Sequence, residues 1–367
     1  MEFKLNKKEL LEVLLTGSKF AGTNRTISMF DNVRIKMSSG SLTVESTNGE
    51  NAIKSRIAIS NSTGDFDFCI QPQDLVKYIK SLKDAELTFV KNSHSLVLKH
   101  NKGNVEFATT DGEMYPDIPK IDSNTVYELD SNLLGNWINI CRGFAATDNL
   151  RPIMCGMYIF IKGNRVGVCA TDTRILFADE IATGTDYSDD ASCVIPASVF
   201  NALSDVLGKD NIVRVKINEN NIVFKSGNTV ILCKLQLGNF PAYERVIPAS
   251  NNIVAEINKS ELRDMVSRSN LISNKSTSLL TVNVSGMSLN ICSEDADNGK
   301  KMTEECMCVH QGNDITIGAA GDMFITCLDA IESDDLILTF KEPQTPILMH
   351  DRLNPNRRVI LMPVMVQ

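Results

Sequence analysis

Cys306, Cys308 and His310 stand at alternate positions in "CMCVH" and come nearest to a metal-ligand set in this sequence. Alternate side chains of a strand share one face, and thiolate and imidazole are favoured zinc ligands. No second ligand cluster at the usual spacing accompanies them, so a half-buried strand explains them more simply. "ATDTRILFADE" holds Asp172, Asp179 and Glu180, three carboxylates that could act as acid and base. Flanking a strand, they read instead as solvated turn residues. None of the four histidines, His94, His100, His310 and His350, sits in an H-E-x-x-H pair or near a G-x-S-x-G turn. Neither a Walker loop nor a dinucleotide fingerprint occurs. An enzyme is not expected, and no metal or organic cofactor is implied.

The 367 residues exceed one ordinary core and favour two or three domains. A hydrophobic share of 43% with 22% charged residues is that of a soluble globular protein. The ten cysteines do not form a disulfide framework. Cys69, Cys141, Cys169 and Cys327 lie in apolar runs, where a small buried thiol is the plain reading. The start, "MEFKLNKKELL", lacks the pattern of a signal peptide. No apolar stretch reaches about 18 residues, so no membrane span is expected. The expectation is a cytoplasmic protein.

The chain repeats itself. "EFKLNKKELLEVLL", "YELDSNLLGNWINI" and "AEINKSELRDMVSRS" each read as strand, polar cap and amphipathic helix. Their caps, Asn6, Asp130 and Asn258, can accept the orphan amide protons of a first helical turn. A second family, "FCIQPQDLVKYIKSL", "CVIPASVFNALSDVL" and "ITIGAAGDMFITCLDAI", also leads from strand to helix. Each is followed by an acidic residue, Asp84, Asp210 or Asp335, and a new strand. Pro72 and Pro196 are expected in the first helical turn, where a missing N–H costs nothing. Alternating runs such as "SLTVEST", "VRVKINENNIVFKS" and "LTVNVSGMSLNIC" read as antiparallel strands with one buried face.

Two proline-rich stretches, "EMYPDIP" and "NFPAYERVIP", close the first and second repeats. Proline fixes its own φ and restricts its predecessor, so both should be stiff, extended connectors. The fold class is α+β, with domains at 1–122, 123–250 and 251–367, each built of two half-repeats. The net charge of −8 argues at first sight against nucleic acid. Yet the six helical segments together carry +3 and the rest of the chain −11. Helices lining one surface would make it weakly positive inside an acidic shell, suited to weak phosphate contact.

Three tandem domains of two half-repeats resemble the bacterial DNA polymerase sliding clamp, the β subunit of the replicative DNA polymerase III. The resemblance covers the whole chain and rests on "ATDTRILFADE", "NFPAYERVIP" and the terminal "RRVILMPVMVQ". It implies three clamp domains, closed into a ring as a head-to-tail homodimer around non-specific duplex DNA. It implies no polymerase or exonuclease activity in the chain. The implied partners are the replicative polymerase subunit, the clamp loader and repair proteins that carry a clamp-binding peptide.

The family's hydrophobic peptide pocket carries over to Met154, Thr171, Leu176, Pro241, Val246, Pro346, Ile360, Met362 and Pro363. Thr173, Arg174 and Met365 fall at its rim. Thr173 stands where that family commonly has Gly or Ser. A dimer contact is implied at Leu271 and Ile272, facing Val105 and Phe107 of the next copy. DNA contacts are implied at Arg25 in "GTNRTIS" and at Lys77, Lys80, Arg142, Arg151 and Arg245. The alternative is a repeat-built interaction scaffold, monomeric and without DNA function.

Overall fold

The computed structural model describes residues 2–23, 26–59, 62–83, 86–119, 121, 125–148, 150–208 and 210–365. Asp84, Arg25 and the expected first domain boundary, 122/123, lie outside the described residues. Two compact units emerge: Met1–Asn136 with Ser198–Leu235, and Trp137–Ala197 with Gln236–Gln367.

The described residues form six α-helices: α1 (Lys7–Gly17), α2 (Pro72–Ser81), α3 (Ser131–Phe144), α4 (Phe200–Ser204), α5 (Lys259–Ile272) and α6 (Gly321–Asp329). The three expected caps act as caps. Asn6 Oδ1 accepts the Lys8 amide at 2.8 Å, Asp130 Oδ1 that of Leu133 at 2.8 Å, and Asn258 Oδ1 that of Glu261 at 3.0 Å. Each such bond contributes about 1 kcal/mol to its helix. Pro72 stands in the first turn of α2. Pro196 does not open a helix. It ends the strand Ile175–Pro196 opposite Gly156, and the turn Ala197–Val199 separates it from α4.

In the first unit a five-stranded sheet runs Ser62–Thr63, Glu2–Asn6, Glu86–Lys91, Ser95–His100, Gly103–Ala108. Its last member, Gly103–Ala108, pairs on one side only among the described residues. A nine-stranded sheet contains strands of the first and second repeats, joined where Thr229–Lys234 pairs antiparallel with Ala52–Ala58. Pairing of this kind leaves neither edge open to stray strands. α1 and α2 bury Leu10, Val13, Leu14, Leu75 and Ile79 in one core with Phe3, Phe68 and Phe89. The connector "MYPDIP" lies on this sheet. Tyr115 Oη accepts the Thr47 amide at 3.0 Å and donates to the Asn32 carbonyl at 3.2 Å. Asp117 pairs with Arg34 at 2.9 Å.

In the second unit a seven-stranded sheet runs Gly156–Thr171, Ile175–Pro196, Arg358–Leu361, Ile347–Asp351, Asp335–Phe340, Ile253–Asn258, Val309–Gln311. The ladder of Gly156–Thr171 with Ile175–Pro196 shifts register on both sides of Gly163, whose φ is +56°. A Cβ on Gly167 would lie 2.5 Å from the Phe160 ring, so only glycine permits that approach. A four-stranded sheet runs Lys300–Met307, Ser288–Asp295, Leu279–Ser285, Ile315–Ala320, with Lys300–Met307 at one end.

Cys306, Cys308 and His310 do not share one strand face. The strand ends at Met307, and the Cys308 amide turns to the Met287 carbonyl at 3.0 Å. Val309–Gln311 then joins the other sheet. Burial pushes the Cys306 thiol up to about 12. The connector "NFPAYERVIP" is not extended throughout either, because Tyr243–Val246 forms a 3₁₀ turn.

Candidate functional site

Three neighbouring strands of the second unit build the floor of the candidate site. Leu176 pairs with Ile360 across one ladder, and Ile360 pairs with Leu348 across the next. The three side chains make one buried row, with Cys169 and Ala178 in the same cluster. Phe240, Tyr243 and Ile247 of the connector pack onto it, and Phe240 stacks on Tyr158 at 5.0 Å between ring centroids. Burial raises the Tyr243 phenol above its ordinary value. These aromatic residues were not among the expected wall. "NFPAYERVIP" carried the signal, because positions 240, 243 and 247 follow a helical spacing. Pro241 and Val246 lie on the connector's open side, and Val246 is 51% exposed.

The ends of the same strands build a rim. Ile175, Leu361 and Ile347 are in register, so Arg174, Met362 and Pro346, the next residues beyond, meet at one edge. Leu176 also pairs with Thr171, which brings the 171–175 loop to that edge. Polar side chains lock the loop. Thr171 Oγ1 accepts the Thr173 amide at 3.0 Å and donates to the Ile175 carbonyl at 2.7 Å. Asp172 Oδ1 accepts the amides of Arg174 and Ile175 at 2.8 and 2.9 Å. Thr173 is held at φ +82°, a conformation costly for a β-branched residue. Glycine, in contrast, adopts such a positive φ without that steric cost.

The tail lies along this rim. The Met362 amide donates to the Arg174 carbonyl at 2.8 Å, and the Val364 amide to that of Gly318 at 2.9 Å. Met362, Pro363, Val364 and Met365 thereby line a groove of about 370 Å³ with Ile317, Gly318, Pro343 and Gln344. Met365 is 79% exposed. Met154 is half-buried in the turn Pro152–Met154, and its carbonyl accepts the Ala146 amide at 2.9 Å.

Asp179 is not the solvated turn residue expected of it. Its side chain is fully buried and paired with Arg357 at 3.0 Å. Its bond from Trp137 and its pair with Arg357, 178 positions away, left no local signal in the sequence.

The other expected residues occupy separate places. Lys77 and Lys80 lie exposed on α2, and Lys77 is 3.7 Å from Asp74. Arg142 is exposed on α3, Arg151 precedes the turn holding Met154, and Arg245 is exposed in the turn Tyr243–Val246. Val105 and Phe107 are half-buried in the outer strand Gly103–Ala108, with Phe107 edge-on to Tyr78 at 6.1 Å. Leu271 is 68% exposed at the end of α5, and Ile272 is half-buried.

Tandem α+β repeats, sheets that run across repeat boundaries and an apolar rim closed by the tail define a clamp-type repeat protein. Three domain families match in order: the N-terminal domain of the DNA polymerase III beta subunit at residues 1–119, the central domain at 128–242 and the C-terminal domain at 244–365. The chain belongs to the DNA polymerase III beta subunit family. It is 26% identical over 361 residues to the beta sliding clamp of Streptococcus pneumoniae serotype 4, covering 95% of each chain. It is 22% identical over 366 residues to that of Haemophilus influenzae, covering 99% of this chain and all of the other. The fold matches the Pseudomonas aeruginosa sliding clamp bound to griselimycin with a TM-score of 0.95, at 19% identity and full coverage of both chains. It matches the Thermotoga maritima beta subunit at 0.92, at 18% identity and full coverage of both. The function is that of a processivity clamp.

Proposed function

We propose that two copies of this chain close head to tail around duplex DNA and tether the replicative polymerase through the groove at the tail. The observation that carries the tether is the groove lined by Met362, Pro363, Val364 and Met365 with Ile317, Gly318, Pro343 and Gln344, next to the rim of Arg174, Pro346 and Met362 and the buried row Leu176–Ile360–Leu348. An apolar groove bordered by methionines suits a short peptide with apolar anchors, and methionine adapts to varied partners. Polymerase, clamp loader and repair proteins would then compete for one groove. Thr171, Thr173, Pro241, Val246, Pro363, Met154 and Met365 complete its border.

The ring reading rests on two outer strands, Gly103–Ala108 and Lys300–Met307, each at the end of its sheet. Pairing one with the other strand of a second copy would remove both edges. Leu271 and Ile272 would then meet Val105 and Phe107. The lysines and arginines named above, with Arg25, would touch phosphate weakly. A linked ring needs little affinity, and an acidic remainder of the chain discourages stray binding. The ring would work in the cytoplasm as a protein without catalytic activity of its own.

The tether is tested with griselimycin, the ligand of the P. aeruginosa structure, as the probe. Titration should show one site per chain, and purified replicative polymerase subunit should displace the probe. Met362→Ala should weaken both. Unchanged binding of both by that variant contradicts the groove.

A further inference from the structure

The buried row Leu176–Ile360–Leu348, and the place of Met362 beside the groove, are correct only if the strand Ile175–Pro196 and the strand Arg358–Leu361 pair in one register. A slip of one residue would send Leu176 and Ile360 to the other face. Four rungs join these strands: Ile175 with Leu361, Leu176 with Ile360, Phe177 with Val359 and Ala178 with Arg358. Both faces of these rungs are buried and, Arg358 apart, apolar, so a slip would exchange one apolar row for another. The next rung would be Asp179 with Arg357, and there the structure places a buried ion pair.

Arg357 Nε and Nη2 both donate to Asp179 Oδ2 at 3.0 Å. Arg357 Nη1 lies 2.9 Å from Glu332 Oε1 and 3.4 Å from Asp351 Oδ2, and donates to the Ala330 carbonyl at 3.2 Å. The Arg357 and Asp179 side chains are 2% and 0% exposed. Asp179 also accepts Trp137 Nε1 at 2.9 Å and Asn354 Nδ2 at 2.9 Å. The guanidinium lies 5.7 Å from the centroid of the Phe177 ring. A slip would part Asp179 from Arg357 and leave its buried charge only the neutral donors of Trp137 and Asn354, a heavier penalty than a shifted apolar contact.

We infer that the Asp179–Arg357 pair positions the partner groove, by locking the register that sets Leu176 against Ile360 and delivers Met362 to the Arg174 carbonyl. Buried ion pairs add little net stability over apolar residues, and setting register is their best-attested use. The inference rests on the groove reading proposed above.

The test compares Asp179→Asn, which keeps the shape and removes the charge, with the full-length dimer. Griselimycin affinity should fall roughly tenfold, the scale on which remote positioning residues act. Amide exchange at Met362 and Val364 should quicken, while exchange at Val215 in the first unit stays unchanged. Arg357→Lys keeps the charge but loses the two-pronged contact, and should fall between Asp179→Asn and the parent. It also serves as the test should Asp179→Asn not fold. Affinity within twofold of the parent, with Met362 exchange unchanged, overturns the inference. So does a loss of affinity accompanied by equally faster exchange at Val215, since that is general destabilisation. If Met362→Ala leaves griselimycin binding intact, the groove reading itself has failed. If Met362→Ala weakens binding and Asp179→Asn does not, only the register inference has failed.

Discussion

The carbonyl of Arg174 accepts the amide of Met362 at 2.8 Å. One residue precedes a strand and the other follows its neighbour, so the 171–175 loop and the tail form one rim. Removing Pro363 to Gln367 leaves that bond but takes away Pro363, Val364 and Met365, which line the groove. Binding of griselimycin and of the polymerase subunit should fall by at least about tenfold, roughly 1.4 kcal/mol. Sedimentation should still show a dimer. Full-strength binding by the shortened chain would refute the groove.

Thr173 is strained at φ +82°. Glycine there should relieve about 1–3 kcal/mol of backbone strain, against roughly 0.5–1 kcal/mol of added unfolded-state entropy. Thr173→Gly should therefore stabilise the protein by about 1 kcal/mol, read as a higher urea midpoint at constant slope. A lower midpoint would show that the loop is held without strain.

Leu271 is 68% exposed in the single chain. If it is buried against a second copy, Leu271→Asp would place a charge in an apolar contact and should convert the dimer to monomer at micromolar concentration. Circular dichroism should be unchanged, because the side chain supports little within its own chain. A dimer that survives this change removes Leu271 from the interface.

His350 and Asp351 both make stability depend on pH. Burial, and then the nearby Arg358 charge, hold His350 below its ordinary 6.5. For Asp351, burial alone would raise the value. The amides of Glu332 and Leu353, the Ser333 hydroxyl and the Arg357 charge outweigh it and hold the carboxyl below its ordinary 3.8. Both groups bind protons more readily in the unfolded chain, so stability rises with pH across each window. The His350 contribution is complete above pH 6.5 and is lost as pH falls through its folded value. The Asp351 contribution is complete above pH 3.8 and is lost at still lower pH. Urea midpoints should decline in two stages on acidification, and His350→Gln should remove the first. A His350→Gln profile parallel to the parent would contradict this.

What the sequence made legible was short in range. Asn6, Asp130 and Asn258 were readable because a cap bonds an amide two or three residues away. The buried face of Ile212–Ile217 was readable because Val213 and Val215 alternate with outward residues. The strand after Met307 was not, because nothing in "CMCVH" says that the chain changes sheets there. At the groove, residue types were legible through the motifs that carry the family resemblance. The pairing of Leu176 with Ile360 was not, since period-2 patterns fix a face and leave the partner strand open. Asp179 was misjudged for the same reason, its charge partner lying far along the chain. The connector aromatics Phe240 and Tyr243 were passed over because Pro241 and Val246 were carried over from the family resemblance, which says nothing of how this connector packs.

The central claim is that this chain holds DNA by encircling it. It is tested by loading the protein onto nicked circular duplex with its clamp loader, removing free protein by gel filtration, and cutting half the sample once with a restriction enzyme. The account predicts protein retained on the uncut circle and lost from the cut DNA as it slides off the ends. Equal retention on both forms, or equal loss from both, would contradict it.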